Sequence, residues 1–293
     1  MRIAVIHEAP RVTSHSRELL ERIKGSGHEA VYVRIGGLNV GIDSRGTFVT
    51  TGKGEVHLDG AFPRGIGSYV STEMFTKRMS TLKALEFQGV RLINSAESIE
   101  KSKDKLYSLM LLARRGVAVP QTMVTENPTE VMKFVERVGE AVIKPIMGSL
   151  GLGSIKVDDP DIGYRVAKTV LSTGSPVYVQ EYVKKPDRDI RLIFIGDEVL
   201  GAVYRINHSS WKTNVAQGAV TQILSVNVEL ENLAMKVKEV MGLDYAGIDI
   251  VESERGYLVL EVNASPLWKG FRAATGIDVA KHLVDYMIRE LKR

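Results

Sequence analysis

Three oxygen-bearing side chains, Asp249, Glu261 and Asn263, sit in two short β-rich runs, residues 246–251 and 257–263, joined by the turn 253–256. A hairpin folded about Arg255 sets Asp249 opposite Glu261, with directly opposed Cβ atoms about 5 Å apart. The two-residue period of a strand puts Asn263 on the Glu261 face and turns Leu258, Leu260 and Val262 the other way. Two carboxylates and an amide on one face, with no cation in either strand, repel one another, and a divalent ion removes that cost. Oxygen-only donors favour Mg2+ or Mn2+, and Mg2+ commonly completes its shell with substrate phosphates. A solvated polar face is the alternative, since strands often expose one. On the metal reading, Glu261→Gln or Asp249→Asn abolishes turnover and leaves the fold intact, because the site is an addition to the outer face of an apolar hairpin.

A glycine-rich run, Gly148-Ser149-Leu150-Gly151-Leu152-Gly153-Ser154, offers a second kind of chemistry. Ser154 stands where a Walker A loop requires lysine, and a strand rather than a helix follows, so this is not a P-loop. A glycine turn between two strands can instead close its backbone N–H groups over phosphates, with Lys144 upstream as a cation. An ordinary flexible hairpin is the alternative. The run Asp187-Arg188-Asp189-Ile190-Arg191, followed by Arg205, Trp211, Lys212 and Asn214, offers guanidinium forks for carboxylate or phosphate, although surface salt bridges explain the first run equally well. The six histidines show no metal-ligand spacing. No G-x-S-x-G element occurs, and the first βα turn, residues 8–14, contains no glycine. Neither a hydrolase elbow nor a dinucleotide-binding fingerprint is present.

The elements that must hold these residues read as three lobes. Residues 2–7, 16–24 and 29–35 form strand, helix and strand, which predicts a parallel α/β layer in the first lobe. A hairpin is expected around Asp43-Ser44-Arg45-Gly46, a helix over 72–88 and a strand over 90–94. The second lobe opens at Ser95 with one helix over 99–115, followed by a connector from Val119-Pro120. Helix 128–139, strand 141–145, the glycine loop, strand 154–157, helix 162–171 and strand 176–183 complete it. The third lobe contains a hairpin of 191–195 and 199–206, a helix over 229–241, the acidic hairpin and a closing helix over 277–291. The expected boundaries are 1–94, 95–183 and 184–293.

At 293 residues, with 44% hydrophobic and 25% charged side chains, the chain is long enough to bury a substantial core. The absence of cysteine excludes disulfides, thiolate metal sites and a cysteine nucleophile. No apolar run is long enough to span a membrane, and MRIAVIHEAP reads as a first strand and not as a signal peptide, so a cytoplasmic protein is the expectation. The formal charge of +4 is mild. It suits a phosphorylated or carboxylated ligand, and with no basic block and no aromatic ribonucleoprotein motif no nucleic-acid partner is expected.

Laid end to end, these pieces resemble the RimK-like amino-acid ligases of the ATP-grasp superfamily. Pro63-Arg64-Gly65-Ile66-Gly67 is similar to that family's P-R-I-G element. Ser102-Lys103-Asp104-Lys105-Leu106, with Leu111-Leu112-Ala113-Arg114-Arg115-Gly116-Val117 and Pro120 behind it, is similar to its S-R-D-K-L…L-L-A-R-x-G-x…P stretch. Ile143-Lys144-Pro145, the glycine loop, Gln180-Glu181-Tyr182-Val183 and Asp189-Ile190-Arg191 follow in the family's order. Glu261-Val262-Asn263-Ala264-Ser265-Pro266 and Thr275-Gly276-Ile277-Asp278 complete it.

The resemblance implies an ATP-grasp fold, α/β in class, with an N-terminal parallel α/β domain. It implies ATP between the second and third lobes, with Lys105 and Lys144 on the phosphates and a lid made by Gly148, Ser149, Gly151 and Gly153. Gln180, Glu181, Tyr182 and Val183 would border the adenine, and Asp189 would lie near the ribose. Asp249, Glu261 and Asn263 would hold Mg2+, as two ions. Arg64, Arg191, Arg205 and Asn214 would face the acceptor carboxylate and the incoming amino acid. The implied reaction moves a phosphoryl group onto a carboxylate and lets an amine displace it, with Arg191, Arg205 and Lys144 as the catalytic cations. Trp211-Lys212 and Trp268-Lys269-Gly270 are similar to the archaeal ligases that add glutamate to tetrahydromethanopterin or coenzyme F420, and a flat aromatic beside lysine suits such an acceptor; packing of both tryptophans between lobes is the alternative. The alternatives are glutamate ligation to a peptide or protein C-terminus and a nucleotide-binding regulatory module. A homo-oligomer is implied by the resemblance alone.

Overall fold

The computed structural model describes residues 1–44, 46–67, 71–146, 153–213 and 218–293. The first lobe comprises β1 (Arg2–His7), α1 (Ser14–Gly25), β2 (Glu29–Arg34), β3 (Asn39–Asp43), β4 (Gly46–Thr51), β5 (Gly54–Glu55), β6 (Gly60–Gly65), α2 (Thr72–Phe87) and β7 (Arg91–Leu92). Ile3, Ala4, Val5 and Ile6 are all fully buried, as a strand covered on both faces requires. β1 accordingly lies inside a parallel sheet ordered β2-β1-β6-β7. The expected hairpin closes with Asp43 opposite Gly46. Because β1 and β6 run parallel, His7 and Gly65 end side by side, and the loops leave from one edge.

The second segment holds α3 (Ala96–Lys103), α4 (Lys105–Arg114), β8 (Thr122–Thr125), α5 (Pro128–Val138), β9 (Ala141–Lys144), β10 (Ile155–Val157), α6 (Pro160–Ser172) and β11 (Val177–Glu181). The single helix expected over 99–115 is two helices. Asp104 is extended (φ −85°, ψ 101°), and its carboxylate accepts from the Tyr107 N–H at 2.8 Å, so it caps a new helix instead of continuing the old one. Lys103 and Lys105 thereby flank a break. Ile99, Leu109 and Leu112 pack in one core with Ile190, Leu192, Ile248 and Val259, which belong to the third lobe. The sheet β10-β9-β11-β8 has a separate core with α5 and α6, built on Val131, Phe134, Val135, Ile143 and Val179. β8 was not anticipated; four residues after Pro120 carry too little periodicity to announce a strand.

The third lobe consists of β12 (Arg188–Ile195), β13 (Glu198–Ile206), β14 (Val220–Leu224), α7 (Val228–Met241), β15 (Tyr245–Ser253), β16 (Gly256–Asn263), α8 (Lys269–Thr275) and α9 (Val279–Glu290). Its antiparallel sheet is ordered β14-β13-β12-β15-β16. α9 packs against α1, and Leu283, Val284 and Met287 share a core with Ile3, Val5, Leu19 and Ile23. First and third lobes thus share apolar cores. Among the described residues no helix is long and apolar enough to cross a membrane.

Asn94 fastens the two lobes together. Fully buried, it donates to the carbonyls of Tyr245 and Ala264 at 2.7 Å each and accepts from the N–H groups of Asp244 and Tyr245 at 2.8 and 3.0 Å. Each buried group left unpaired costs about 1–3 kcal/mol. Asn94→Ala is therefore expected to lower unfolding free energy by about 3–5 kcal/mol. Urea denaturation checks it; a loss below about 1 kcal/mol would mean that water replaces the amide.

Candidate active site

A cleft opens between the β9–β11 sheet and the β12–β15–β16 sheet. Lys105, Lys144, Gln180, Tyr182, Lys185, Asp189, Arg205, Trp211, Lys212, Thr213, Asp249 and Glu261 border its polar part. Asp249 stands opposite Glu261, the register expected from the sequence. A bulge follows at once, and the pairing resumes with Ile250 opposite Val259, so Leu260 is the extra residue. The consequence corrects the expected facing of Leu258 and Leu260. Val259 and Val262 enter the main core, whereas Leu258 and Leu260 cluster with Val183 and Val251, and Leu260, Val251 and Val183 line the cleft. An apolar patch beside a charged one suits a flat heterocycle joined to an anionic chain.

The neighbouring strands contribute the cations that β15 and β16 lack. Register sets Arg191 opposite Asp249 and Arg205 opposite Asp189. Arg191 Nε lies 2.7 Å from Asp249 Oδ1, and Arg191 Nη2 donates to Oδ2 at 3.2 Å. Arg205 Nη2 lies 3.0 Å from the same Oδ2. Arg205 also forks onto Asp189, with Nε and Nη2 each at 2.7 Å, and the Thr213 hydroxyl donates to Asp189 Oδ2 at 2.5 Å. Gly247 makes room for this: a Cβ there would lie 2.6 Å from Arg191 Nη1. Asp249 is thus not an exposed-face carboxylate without a cation, as the hairpin alone suggested, but the centre of a buried ion network.

A divalent ion still fits. Glu261 has no hydrogen bond or ion pair among the described residues, and Asp249 Oδ1, despite its proximity to Arg191, is buried without a hydrogen bond. Asn263 Oδ1 accepts from the Ser265 N–H at 2.9 Å, which holds the amide in place and leaves it a second lone pair. No group of three or more His, Cys, Asp or Glu converges among the described residues, so a metal held here would have two carboxylates and an amide from the protein and its other positions filled by solvent or phosphate.

Lysines complete the cleft. Lys144 is half-buried, donates to Gln180 Oε1 at 3.0 Å and lies 4.9 Å from the Tyr178 ring centre. Burial pushes its ammonium down to about 8, with Glu261 pulling back against that and Lys105 adding to it. Lys185 Nζ donates to the Arg188 carbonyl at 3.0 Å. No carboxylate neutralises Lys105, Lys144, Lys185 or Lys212 among the described residues. Sequence reasoning missed Lys185 and Thr213. For Lys185 the signal was available, as a basic pair directly after the strand that ends at Glu181.

Several anticipated residues also have partners within the protein. Gln180 donates to Thr122 Oγ1 at 2.8 Å while accepting from Lys144, so it orients the lysine. The Glu181 carboxylate accepts from the Gln121 N–H at 2.9 Å and from Arg255 at the hairpin turn. Trp211 and Lys212 line the cleft itself, Trp211 edge-on to Tyr182 with ring centres 6.1 Å apart. Trp268 is fully buried with its indole N–H on Glu18 at 2.8 Å, so it packs the lobe junction and offers no face to a ligand. Arg64 stacks on it at 4.5 Å and lies outside the cleft. Gly148, Ser149, Gly151 and Asn214 lie outside the described residues. Gly153 has φ +75°, and a Cβ there would meet Pro145 at 3.0 Å.

Comparison with known proteins accords with this architecture. Residues 102–287 match the family described as the RimK-like ATP-grasp domain. An alpha-aminoadipate–LysW ligase, LysX, of Sulfolobus acidocaldarius is 39% identical over 223 residues, spanning 74% of this chain and 81% of that protein. A tetrahydromethanopterin:alpha-L-glutamate ligase of Methanocaldococcus jannaschii is 34% identical over 221 residues, spanning 73% and 76%. The solved ATP-grasp ligase PsnB, in complex with a phosphomimetic variant of its minimal precursor, Mg and ADP, superposes with a TM-score of 0.77 at 23% identity, covering 99% and 98% of the two chains. That likeness concerns the fold.

Proposed function

The chain belongs to the RimK-like ATP-grasp family and is a ligase forming C–N bonds, and on that premise we propose that it activates an acceptor carboxylate as an acylphosphate and joins it to the amine of an amino acid, L-glutamate. The observation that carries this reading is a single cleft uniting an apolar patch, four lysines with no carboxylate ion pair among the described residues, and the opposed Asp249–Glu261 pair. ATP lies with its base against Val183, Val251 and Leu260 and its phosphates toward Lys105 and Lys144. Asp249, Glu261 and Asn263 hold Mg2+, or Mn2+, which when bound neutralises charge on the phosphates. Arg191 and Arg205 orient the acceptor carboxylate and spread the charge of phosphoryl transfer. The amine then displaces phosphate, and exclusion of water protects the acylphosphate from hydrolysis.

The acceptor is a small coenzyme of pterin or deazaflavin type, a reading supported by the relative named a tetrahydromethanopterin:alpha-L-glutamate ligase and by Trp211 and Lys212 in the cleft. A protein-borne carboxylate is the second reading, favoured by the 39% identity to LysX. Coupled ADP-release assays with glutamate against folate-like, deazaflavin and peptide acceptors decide between them. The ligase reading predicts release that requires both glutamate and one acceptor class. Release with neither present, or with no combination, sinks it.

Lys144 gives this reading a pH signature. With its ammonium pushed down to about 8, Lys144 is expected to lose part of its charge near pH 8 in the free protein, and bound phosphates favour the charged form. Nucleotide binding at pH 8 is expected to take up a fraction of a proton, falling to none at lower pH, and affinity weakens as pH rises through 8. Calorimetry in buffers of different ionisation enthalpy measures the uptake. Buffer-independent heats at pH 8 contradict it, and Lys144→Met should abolish it.

A further inference from the structure

Cations held only by neutral groups recur outside the nucleotide cleft, at the carboxyl ends of the first lobe's parallel strands. Arg64, in β6, donates from Nη1 to the Tyr245 hydroxyl at 3.1 Å and from Nη2 to the Pro266 carbonyl at 2.7 Å. Lys103 leaves the end of α3 to reach the Gly67 carbonyl, with Nζ at 3.5 Å. Both therefore border the segment Arg64-Gly65-Ile66-Gly67. Neither makes an ion pair among the described residues, and the residues outside the description include no aspartate or glutamate. Two nearby acids, Glu8 and Glu18, are committed elsewhere. Glu8 accepts from Arg78 at 3.2 Å, and Glu18 accepts from Trp268 and Arg272. His7 and His15 add no negative charge, and burial together with Arg64 depresses both, His15 to about 4.

A lysine at a helix C-terminus ordinarily serves the helix dipole. In α3 that role falls to Lys101, which pairs with Glu97 one turn back, whereas Lys103 turns to the other lobe. The break at Asp104 then divides the two neighbouring lysines: Lys105 lines the nucleotide cleft and Lys103 the crest of the first lobe. Glu8 of the first lobe and Glu261 of the hairpin both act on Lys103 from a distance, without an ion pair to either among the described residues. The Ser265 hydroxyl donates to the Arg64 carbonyl at 2.7 Å, which makes the crest continuous with the segment leaving β16 after Asn263. Half-buried cations without counter-ions are costly and create a positive potential that an external anion relieves.

We propose that this crest seats a further anionic group of the acceptor, with Lys103 and Arg64 as specificity-determining residues, so that the acceptor class is one carrying at least one carboxylate or phosphate beyond the carboxylates of its terminal residue. The proposal rests on the ligase reading above. Three probes share a C-terminal glutamate and differ only in further charge: triglutamate, glycyl-phosphoseryl-glutamate and glycyl-glycyl-glutamate. Each is titrated calorimetrically into the full chain, with and without Mg-AMPPNP. At least one acidic probe is expected to bind tenfold or more tighter than glycyl-glycyl-glutamate, with the advantage shrinking as salt is raised. The tighter of the two tells carboxylate from phosphate. Lys103→Met should reduce the advantage to within twofold, Lys103→Arg should keep it, and AMPPNP affinity should stay within twofold in both. Equal affinities in the wild type, absence of binding by either acidic probe, or discrimination retained in Lys103→Met overturns the proposal. AMPPNP binding, read separately, tests the ligase reading on its own, and a misfolded variant reveals itself by losing both.

Discussion

Glu261→Gln is expected to lower ADP release by roughly 10³-fold while leaving the unfolding transition where it is in the wild type. The substitution removes one charge and almost no volume. Glu261 makes no hydrogen bond or ion pair among the described residues, so the fold loses no contact. The proposed metal site loses one of its two carboxylates, and several kcal/mol of transition-state charge stabilisation go with it, each 1.36 kcal/mol being tenfold in rate. Glu261 also holds the Lys144 ammonium up against burial, so the variant should deprotonate Lys144 at still lower pH. Steady-state assays at saturating Mg-ATP and calorimetric AMPPNP binding at several Mg2+ concentrations read both effects. Activity within tenfold of wild type would discard Glu261 as a metal ligand.

Asp249→Asn is expected to behave differently: it should cost about 3–5 kcal/mol of stability as well as activity. The hairpin alone suggested that this carboxylate could be neutralised without harm. In the folded protein it lies against two buried guanidinium groups, and among the described residues Arg191 has no other anionic partner within ion-pair distance. Arg205 keeps Asp189, so the burden falls chiefly on Arg191, whose Nη1 is already buried without a hydrogen bond. Truncating one partner of a buried pair leaves the other charge uncompensated, which costs more than the pair itself contributed. Urea unfolding of the two variants side by side separates them. A midpoint for Asp249→Asn equal to that of Glu261→Gln would show that the arginines relax to solvent without penalty.

The facing of Asp249 and Glu261 was legible because register in a short hairpin is a local property, set by a turn and a two-residue period. The helix break at Asp104 was legible in principle, since an aspartate followed by a helical run is a capping signal, but the apolar spacing across it masked the cap. Leu260 could not be read in this way. A bulge shifts which face a side chain occupies, and nothing in the alternation of residues 257–263 announces one. Trp268 beside Lys269 resembled a ligand platform in sequence, yet its neighbours Glu18, His15 and Arg64 come from the first lobe, more than two hundred residues away.

From the chain alone came the alternation and motif order of an α/β protein, the opposed carboxylates, and three of the cleft's lysines, Lys105, Lys144 and Lys212. Only the tertiary structure decided which charges meet. Strand order brings Arg191 and Arg205 beside Asp249 from partners 58 and 44 residues distant, by arithmetic on their numbering. The shared cores of the first and third lobes bury Trp268 and turn Lys103 toward the crest. Periodicity is written into neighbouring residues, whereas ion pairing and burial depend on segments that approach one another only when the chain is folded.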